Sequence, residues 1–316
     1  MLAERTFRDG SAADLRSTFE LSELAMHEAA VRQGVVAADA EISIETIRGD
    51  WLRQRPLIEF IAARPESRYV ICEADDGPVG YARAVRFGAM EALTELSVAP
   101  EHQGQGIGQS LLERVWPGDP TPDLGRIVVA NGAASDLTLY TRHGVMPVGG
   151  HWHMRARTED YVGLRTQEVD MPEARVHVLT PERAVAEWSR LEPDAIAHER
   201  PALHEFFARD RTCLALPGRE DDGPAALCWV SSEGEIGPAI GAAAGDLVPV
   251  VLAALDRVAK SQEPPTLSVF TTSLSWWLLR RLRRLGFKVF WPSWVLCSIP
   301  LPGLDRYVPT RPPHVL

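Results

Sequence analysis

An Asp-Asp-Gly-Pro turn occurs twice in this chain, at 75–78 and at 221–224, and the repetition narrows the architecture considerably. Each turn separates two short apolar segments, which is typical of a β-hairpin. In both halves a strand, a helix and a further strand follow, and the next helix stops at a glycine, Gly144 or Gly286. The order of elements is the same in the two halves, so the sequence predicts a duplicated fold.

Both halves alternate helical and strand-like segments, which predicts the α/β (α+β) class. Residues 156–175 are polar and without periodicity, so we expect the domain boundary there, with domains at 1–158 and 159–316. The tail from Pro300 onward is rich in proline and is expected to be extended. In the first half the expected helices are 11–31, 47–63 and 135–143, and the expected strands are 69–74, 79–87, 91–98 and 125–130, followed by two more strands through His153 and Arg155.

Length and charge limit the function as well as the fold. The 316 residues are comfortable for two domains of about 150 residues each. The formal net charge of −10 argues against a general nucleic-acid binder and mildly favours cationic substrates. No apolar run approaches the roughly 18 residues of a membrane span, and the first residues are too polar for a secretory signal. Four scattered cysteines fit reduced core thiols, so we expect a cytoplasmic protein. From the charge and the lack of a long apolar run, we expect no nucleic-acid partner and no membrane partner.

A glycine-rich loop joins a strand that ends at Val98 to an amphipathic helix. Its glycines, Gly104, Gly106 and Gly108, let backbone N–H groups turn toward one point without a Cβ in the way. The first turn of a helix adds unpaired N–H donors and the positive end of the helix dipole. Together these features predict an anion cradle suited to a pyrophosphate. The spacing fits neither the Rossmann nor the P-loop pattern, and a purely structural turn is the alternative.

Two segments carry a family resemblance. Gln103-Gly-Gln-Gly-Ile-Gly108 resembles the Gln/Arg-x-x-Gly-x-Gly/Ala motif of the GCN5-related N-acetyltransferase (GNAT) superfamily, and its flanks are similar too. Downstream, Leu-Tyr-Thr-Arg-His-Gly-Val at 139–145 is similar to the family's Leu-Tyr-x-x-x-Gly-Phe segment, with Val145 in place of phenylalanine. The order and separation are normal, so residues 1 to about 155 are identified as a member. The resemblance implies two tandem GNAT-like domains, each with a central mixed, mostly antiparallel sheet flanked by helices.

The resemblance also implies acetyl-CoA as cosubstrate, no metal, and a set of contacts. Tyr140 would act as general acid, since a phenol of pKa about 10 can protonate a departing thiolate of similar basicity; an ordinary helix tyrosine is the alternative. The family often has Asn where Ala133 stands, so Asn131 is expected to reach the pantetheine from a longer loop. The backbone of Leu96, Ser97 and Val98 would pair with the pantetheine arm, and the amides of Gln103, Gly104, Gln105, Gly106, Ile107, Gly108 and Gln109 would hold the pyrophosphate.

The attacking amine must lose a proton, and Glu95 on the strand before the loop is the candidate general base, directly or through water. A surface or edge glutamate is the alternative. His27 and Glu28 on the first helix lie where family members usually line the acceptor pocket. On an alternating strand the residues sharing the face of Glu95 would be Glu91, Leu93 and Ser97.

Other patterns favour structure over chemistry. His151 and His153 have a spacing that can bind metal, but no third ligand is evident, and a structural or cleft-lining role is preferred. Trp276 and Trp277 are expected in the core rather than at an interface. The helix that they begin is expected to expose Arg280, Arg281, Arg283 and Arg284 and to bury Leu278, Leu282 and Leu285.

The second half lacks the working residues of the first. Residues 236–246 contain no Gln/Arg-x-x-Gly-x-Gly motif, and Leu282 stands at the position that matches Tyr140. This half resembles the degenerate C-terminal domains of tandem acetyltransferases, so we expect one active site, in the first half.

The expected function is transfer of acetyl from acetyl-CoA to the primary amine of a small molecule, by direct attack in a ternary complex. Amino acids, aminoglycosides, polyamines and protein N-termini stay open as acceptors. The alternative is a non-catalytic acyl-CoA-binding sensor or scaffold. A third, narrower hypothesis is a tandem acetyltransferase of thiol biosynthesis that resembles mycothiol synthase. Expected partners are the amine and a second copy in a homodimer, with oligomeric state left open.

Overall fold

The computed structural model describes residues 5–37, 39–75, 77–167, 174–219 and 223–310. These divide into two compact units, one formed by residues up to 128 with 138–145, the other by 129–137 with 146–310. Helices flank sheets in both units, which confirms the predicted mixed class. The domain boundary between residues 158 and 159 stays a prediction. It follows the sequence pattern of the two halves, whereas the two units group residues that are close in space.

The first unit contains a run of five neighbouring strands. Its order is β1-β2-β3-β4-β5, antiparallel except for the parallel pair β4–β5, so the sheet is mixed and mostly antiparallel as expected. The last residues of β5 and the first of α4 fall in the second unit. The elements are β1 (Thr6–Asp9), α1 (Leu15–Arg32), α2 (Ile44–Ala62), β2 (Ser67–Ala74), β3 (Gly77–Phe87), β4 (Met90–Val98), α3 (Ile107–Val115), β5 (Gly125–Ala130) and α4 (Ala134–Arg142).

Helix α1 shows how local chemistry sets a helix start. A 3-10 turn at Ala12–Asp14 precedes it, and the Asp14 carboxylate accepts the Ser11 N–H at 2.8 Å. Arg8 donates to the same carboxylate, and these hydrogen bonds hold the pKa of Asp14 well below its usual range. Beyond the cap, Leu15 and Phe19 are buried in the apolar core of the unit.

The second unit contains a five-stranded sheet, β13-β10-β9-β8-β7, and a strand trio, β12-β6-β11, in which β6 is antiparallel to both neighbours. Helix α9 supplies much of its core. The elements are β6 (Met146–Arg157), α5 (Thr158–Thr166), β7 (His177–Val178), α6 (Pro181–Leu191), α7 (Pro193–Ile196), α8 (Pro201–Phe207), β8 (Arg211–Leu216), β9 (Ala226–Ser231), β10 (Ile236–Gly241), α9 (Ala244–Ser261), β11 (Thr266–Thr272), α10 (Trp276–Arg284), β12 (Lys288–Cys297) and β13 (Tyr307–Val308).

Three segments differ in secondary structure from what the sequence predicts. One continuous strand, β6, replaces the two strands expected after residue 145. The segment 156–175, expected to be unpatterned, contains α5, a polar helix anchored by buried Tyr161, whose hydroxyl donates to Asp256 at 2.6 Å; residues 168–173 lie outside the described part. The tail is not simply extended: it includes a 3-10 turn at Leu304–Arg306 and the paired strand β13.

The expectation that Trp276 and Trp277 belong to the core is wrong, because 60% and 65% of their surfaces are exposed. Helix α10 buries Leu278 and Leu282 instead, and the tryptophans share the solvent side with Arg280. All four cysteines are buried, in agreement with their expected core role. Within the described ranges, no helix combines the length and apolarity needed to cross a bilayer.

Candidate active site

Strand β4 is paired on both sides only in its first half. It pairs with β3 along its length, as far as Val98 opposite Gly80, but its parallel pairing with β5 ends where Leu93 meets Val128. Among the described strands, none pairs with that edge of β4 beyond Leu93 within the first unit. Backbone groups of Leu96, Ser97 and Val98 on this side can therefore hydrogen-bond to an extended ligand, in the way a peptide adds to a sheet edge.

A β-bulge lies where the parallel pairing ends. Glu95 stands opposite Arg83, but Leu93 stands opposite Ala84, so Thr94 is an extra residue in β4. The Thr94 hydroxyl donates to the Arg83 carbonyl at 3.1 Å. The bulge breaks the alternation of faces. The expectation that Glu95 and Ser97 share a face with Glu91 and Leu93 is therefore wrong, because a bulge shifts the side-chain pattern by one residue.

The glycine loop has an open, left-handed backbone. Gly104 and Gly106 have φ values of +74° and +80°, and Gly106 is the residue that caps α3. A Cβ at either position would meet nothing within 4 Å. The Gln103 N–H, expected to hold the anion, donates instead to the Pro100 carbonyl at 3.2 Å. Among the described residues, the next N–H with a backbone acceptor is that of Ser110, which donates to the Gly106 carbonyl at 3.1 Å. The preceding amides, from Gly104 through Gln109, fit the expected anion cradle.

The glutamine side chains of the loop brace it rather than point away. Gln103 donates to the Val98 carbonyl at 3.0 Å and accepts from the Arg32 guanidinium at 3.1 Å. Gln105 accepts from Arg5. Sequence reasoning missed both arginines, although Arg32 is the last residue of α1 and could have been placed near the loop once the helix end was known. Two guanidinium groups beside the cradle add positive charge where an anion would bind.

Three elements meet at the start of α3. A methyl group added at Gly108 would lie 3.7 Å from Leu139 Cδ2 and 3.9 Å from Val98 Cγ2. The end of β4, the first turn of α3 and the middle of α4 are thus in contact range. Tyr140 follows Leu139 in α4 and is buried, with 7% of its surface exposed. The structure therefore brings Tyr140 to the same end of the unit as the cradle.

Glu95 is buried in a polar cluster. The alternative that it is an ordinary surface glutamate is therefore wrong. Only 5% of its surface is exposed. One carboxylate oxygen lies 2.5 Å from Arg83 Nη1, and the other accepts the Tyr81 hydroxyl at 3.0 Å. Neither Tyr81 nor Arg83 was predicted from the sequence as a partner of Glu95. The available signal was that they are two residues apart on strand β3, so their side chains lie on the same face. The Arg83 guanidinium lies over the Tyr69 ring, 4.5 Å from its centroid.

The cluster fixes the charge state of its members. Burial opposes the positive charge of Arg83, but the Glu95 carboxylate, Tyr81 and Tyr69 together outweigh burial and raise the pKa of the guanidinium. Burial, reinforced by the same carboxylate, raises the pKa of Tyr81 well above its ordinary value, so the phenol stays a donor. Burial also raises the pKa of Tyr69, whose hydroxyl hydrogen-bonds to Thr18 of α1 at 2.7 Å.

The remaining site residues stay predictions in their roles. Asn131 follows β5 directly and belongs to the second unit. His27 hydrogen-bonds to the Ala40 carbonyl at 2.9 Å, and Glu28 lies 3.7 Å from Arg32. Neither contact assigns an acceptor pocket.

The paired histidines stack on one aromatic ring. His151 and His153 both lie against Phe270, at centroid distances of 5.1 and 4.4 Å, so they share a face as expected. In the part of the chain that the structure describes, no group of three or more histidine, cysteine, aspartate or glutamate side chains could hold a metal. The stacking on Phe270 favours a structural role for both histidines.

The corresponding place in the second unit is filled. Strand β13 pairs with β10, Ala239 opposite Val308 and Ile240 opposite Tyr307, along the strand that corresponds to β4 in the repeat. The Tyr307 hydroxyl accepts from the buried Arg200 guanidinium at 2.5 Å. Arg306 donates to the Ala242 carbonyl at 2.8 Å, directly before α9.

The loop before α9 is also closed. A Cβ at Gly241 would lie 2.6 Å from the Ala243 oxygen, in contrast to the open glycines of the first unit. Asp246 accepts the Ala243 N–H at 3.1 Å, which places a carboxylate where the first unit offers free amides. Leu282, at the position that matches Tyr140, is fully buried and apolar.

Residues 65–145 match the family model described as an acetyltransferase (GNAT) domain. No sequence among the curated proteins matches the chain. Among solved structures, a Pyrococcus horikoshii protein provisionally assigned as an acetyltransferase is similar over 99% of this chain and 96% of its own, with a TM-score of 0.70 and 12% identity.

Two further structures are similar along nearly their full lengths. A tandem GNAT protein from the clavulanic acid biosynthesis pathway matches 94% of this chain and 99% of its own, with a TM-score of 0.57 and 14% identity. A GCN5-related N-acetyltransferase from Sphaerobacter thermophilus matches 94% and 98%, with a TM-score of 0.53 and 18% identity. At these identities the likeness concerns the fold, and it extends over both halves of the chain.

Proposed function

We propose, on the premise that residues 65–145 are a GNAT-family domain, that the chain is an N-acetyltransferase. It transfers acetyl from acetyl-CoA to the primary amine of a small molecule, by direct attack in a ternary complex. The active site lies in the first half of the chain. The observation that carries the proposal is one end of the first unit, where an open strand edge, a cradle of free amides and Tyr140 meet.

Each part of that end has a role in the proposal. The backbone of Leu96, Ser97 and Val98 pairs with the pantetheine arm along the open edge of β4. The amides of Gly104 through Gln109, with the braced Gln103, hold the pyrophosphate, and the guanidinium groups of Arg5 and Arg32 add to its attraction. Asn131 contacts the pantetheine from the connection after β5. This set supplies binding and orientation, which lower the entropic part of the barrier.

The chemical step needs one proton removed and one supplied. The amine nitrogen attacks the thioester carbonyl carbon, the new C–N bond forms, and the C–S bond breaks. Tyr140 donates its phenolic proton to the departing thiolate. Glu95 stands at the bulge next to the strand edge and receives the proton of the nitrogen directly or through water. His27 and Glu28 are proposed to line the acceptor pocket.

The test is release of CoA thiol from acetyl-CoA in the presence of an amine panel of amino acids, aminoglycosides, polyamines and peptides. Tyr140→Phe is expected to lower turnover at neutral pH about a hundredfold, within the usual range for a general acid. Acetyl-CoA affinity, measured by calorimetry, should stay nearly unchanged. Thr138→Ala, on the exposed side of the same helix, is the matched control. Equal turnover of Tyr140→Phe and the parent across pH would remove Tyr140 from this role.

The second candidate is an acyl-CoA sensor or scaffold without transfer. The amide cradle is compatible with it, since binding alone needs no acid. Tight acetyl-CoA binding with no thiol release from any amine of the panel would favour the sensor and contradict the enzyme.

We also propose that the chain has one acetyl-CoA site. Strand β13 on the edge of β10, the closed loop at Gly241 and the apolar Leu282 support this for the second half. Calorimetric titration of the full chain should give one site per chain. Two tight sites would contradict the proposal, and Gly106→Ala should weaken the single site that is found.

A further inference from the structure

Glu95 is a poor recipient for a charged amine, because its own charge is already balanced. The Arg83 guanidinium lies 2.5 Å from one carboxylate oxygen, and both side chains are almost fully enclosed. Tyr81 donates to the other oxygen at 3.0 Å. The groups around this pair are Tyr69, under the guanidinium, and the hydroxyls that α1 contributes, Thr18 on Tyr69 and Ser22 on Ser97 at 3.1 Å.

The neutralisation of Glu95 by Arg83 has a direct consequence for the charge of the acceptor amine. An ammonium group that approaches Glu95 is attracted by the carboxylate and repelled by the guanidinium paired with it, and at low dielectric both interactions are large. An uncharged amine meets no such repulsion. Its N–H can still donate to a carboxylate oxygen, because each oxygen has two acceptor positions and one of them is in use. The pair thus favours the uncharged form of the amine.

We propose that Arg83 is a specificity-determining residue that, by neutralising Glu95, restricts the acceptor to weakly basic primary amines such as α-amino groups. Alkylammonium groups of the lysine type are disfavoured. The inference rests on the proposed acetyltransferase function. The nitrogen lone pair of the neutral amine attacks the carbonyl carbon and the C–S bond breaks. The surplus proton of the nitrogen then passes to Glu95 directly or through water, and Tyr140 supplies the proton of the thiol product.

The size of the preference follows from amine basicity. At pH 7.5 roughly 40% of an α-amino group is uncharged, but only roughly 0.1% of a lysine-type amine, from pKa values of about 7.7 and 10.4. The attacking form therefore differs about 300-fold in concentration. At pH 9.5 the same pKa values give a ratio of about 10.

The experiment compares two probes, alanyl-alanine and Nα-acetyl-lysine amide, by thiol release at pH 7.5 and 9.5. The parent chain is expected to favour alanyl-alanine in kcat/KM by at least a hundredfold at pH 7.5, and by about thirtyfold less at pH 9.5. Arg83→Gln frees the Glu95 carboxylate to pair with an ammonium and take its proton. It should reduce the preference at pH 7.5 at least tenfold, whereas Arg83→Lys should retain it.

Arg86→Gln is the matched control, because Arg86 is an exposed arginine of the same strand. Glu95→Gln is the second variant if Arg83→Gln does not fold: it leaves the guanidinium unbalanced and should weaken the lysine probe more than alanyl-alanine. Acetyl-CoA titration reports folding of each variant. A parent chain that prefers the lysine probe at pH 7.5, or an unchanged preference in folded Arg83→Gln, overturns the inference. No thiol release with either probe, while acetyl-CoA binds, refutes the proposed transfer itself.

Discussion

Alanine at two glycines of the same loop should have opposite effects. Gly106 has φ +80° and open space around it, so Gly106→Ala meets no steric clash and its whole cost is conformational. A left-handed alanine costs about 1–2 kcal/mol. Gly108 lies in the first turn of α3 with right-handed backbone, and an added methyl group would make ordinary contacts at 3.7 and 3.9 Å. Gly108→Ala should stabilise the chain by up to about 1 kcal/mol, because glycine is disfavoured in a helix.

The assay is thermal unfolding followed by calorimetry, with acetyl-CoA binding measured on both variants. A change of 1 kcal/mol corresponds to roughly 2–4 °C in Tm for a chain region of this size. Gly106→Ala should also weaken acetyl-CoA binding, because the amides after it turn away from the cradle, whereas Gly108→Ala should bind nearly as the parent does. Equal losses of stability in the two variants would refute the assignment of left-handed backbone to Gly106 and right-handed backbone to Gly108.

Two other predictions concern stability. Trp276→Ser with Trp277→Ser should change the free energy of unfolding by only about 0.5 kcal/mol per site, since both side chains are mostly exposed, whereas Leu278→Ala, in the same helix but buried, should cost about 2–5 kcal/mol in urea unfolding. Burial lowers the pKa of His151 and of His198 to about 4, below the ordinary 6.5, so the unfolded chain binds protons that the folded chain does not. Stability is full above pH 6.5 and should fall as the pH drops from 6.5 to 4, by up to about 1.4 kcal/mol per pH unit for each histidine; a slope that persists unchanged in His151→Gln would contradict the assignment for that residue.

The sequence was most informative where one residue type serves one conformation. The glycines of the loop and the hairpin turn before β3 were predicted correctly, because only glycine occupies a left-handed position at no steric cost. The long helices α1 and α2 were also located within a few residues, since a helical stripe is visible in the sequence itself.

The sequence was least informative where long-range pairing decides. The bulge at Thr94 has no local signature, and it changes which residues stand with Glu95. The ion pair with Arg83 could not be read from spacing, because it depends on the register of two strands. Trp276 and Trp277 looked like core residues by hydrophobicity, yet the face that α10 buries is set by its contact with α9. Helix α5 was missed because a single buried tyrosine anchors an otherwise polar segment.

Strand β6 sets a condition on the timing of folding. Its partners β11 and β12 lie more than a hundred residues further along the chain, so both its edges wait unpaired during synthesis. At about 5–20 residues per second, roughly 7–28 s pass between completion of β6 and completion of β12. Such an open strand is a point for misassociation between nascent chains. Folding of this region is therefore governed by contact order, and it is complete only after β12 has left the ribosome.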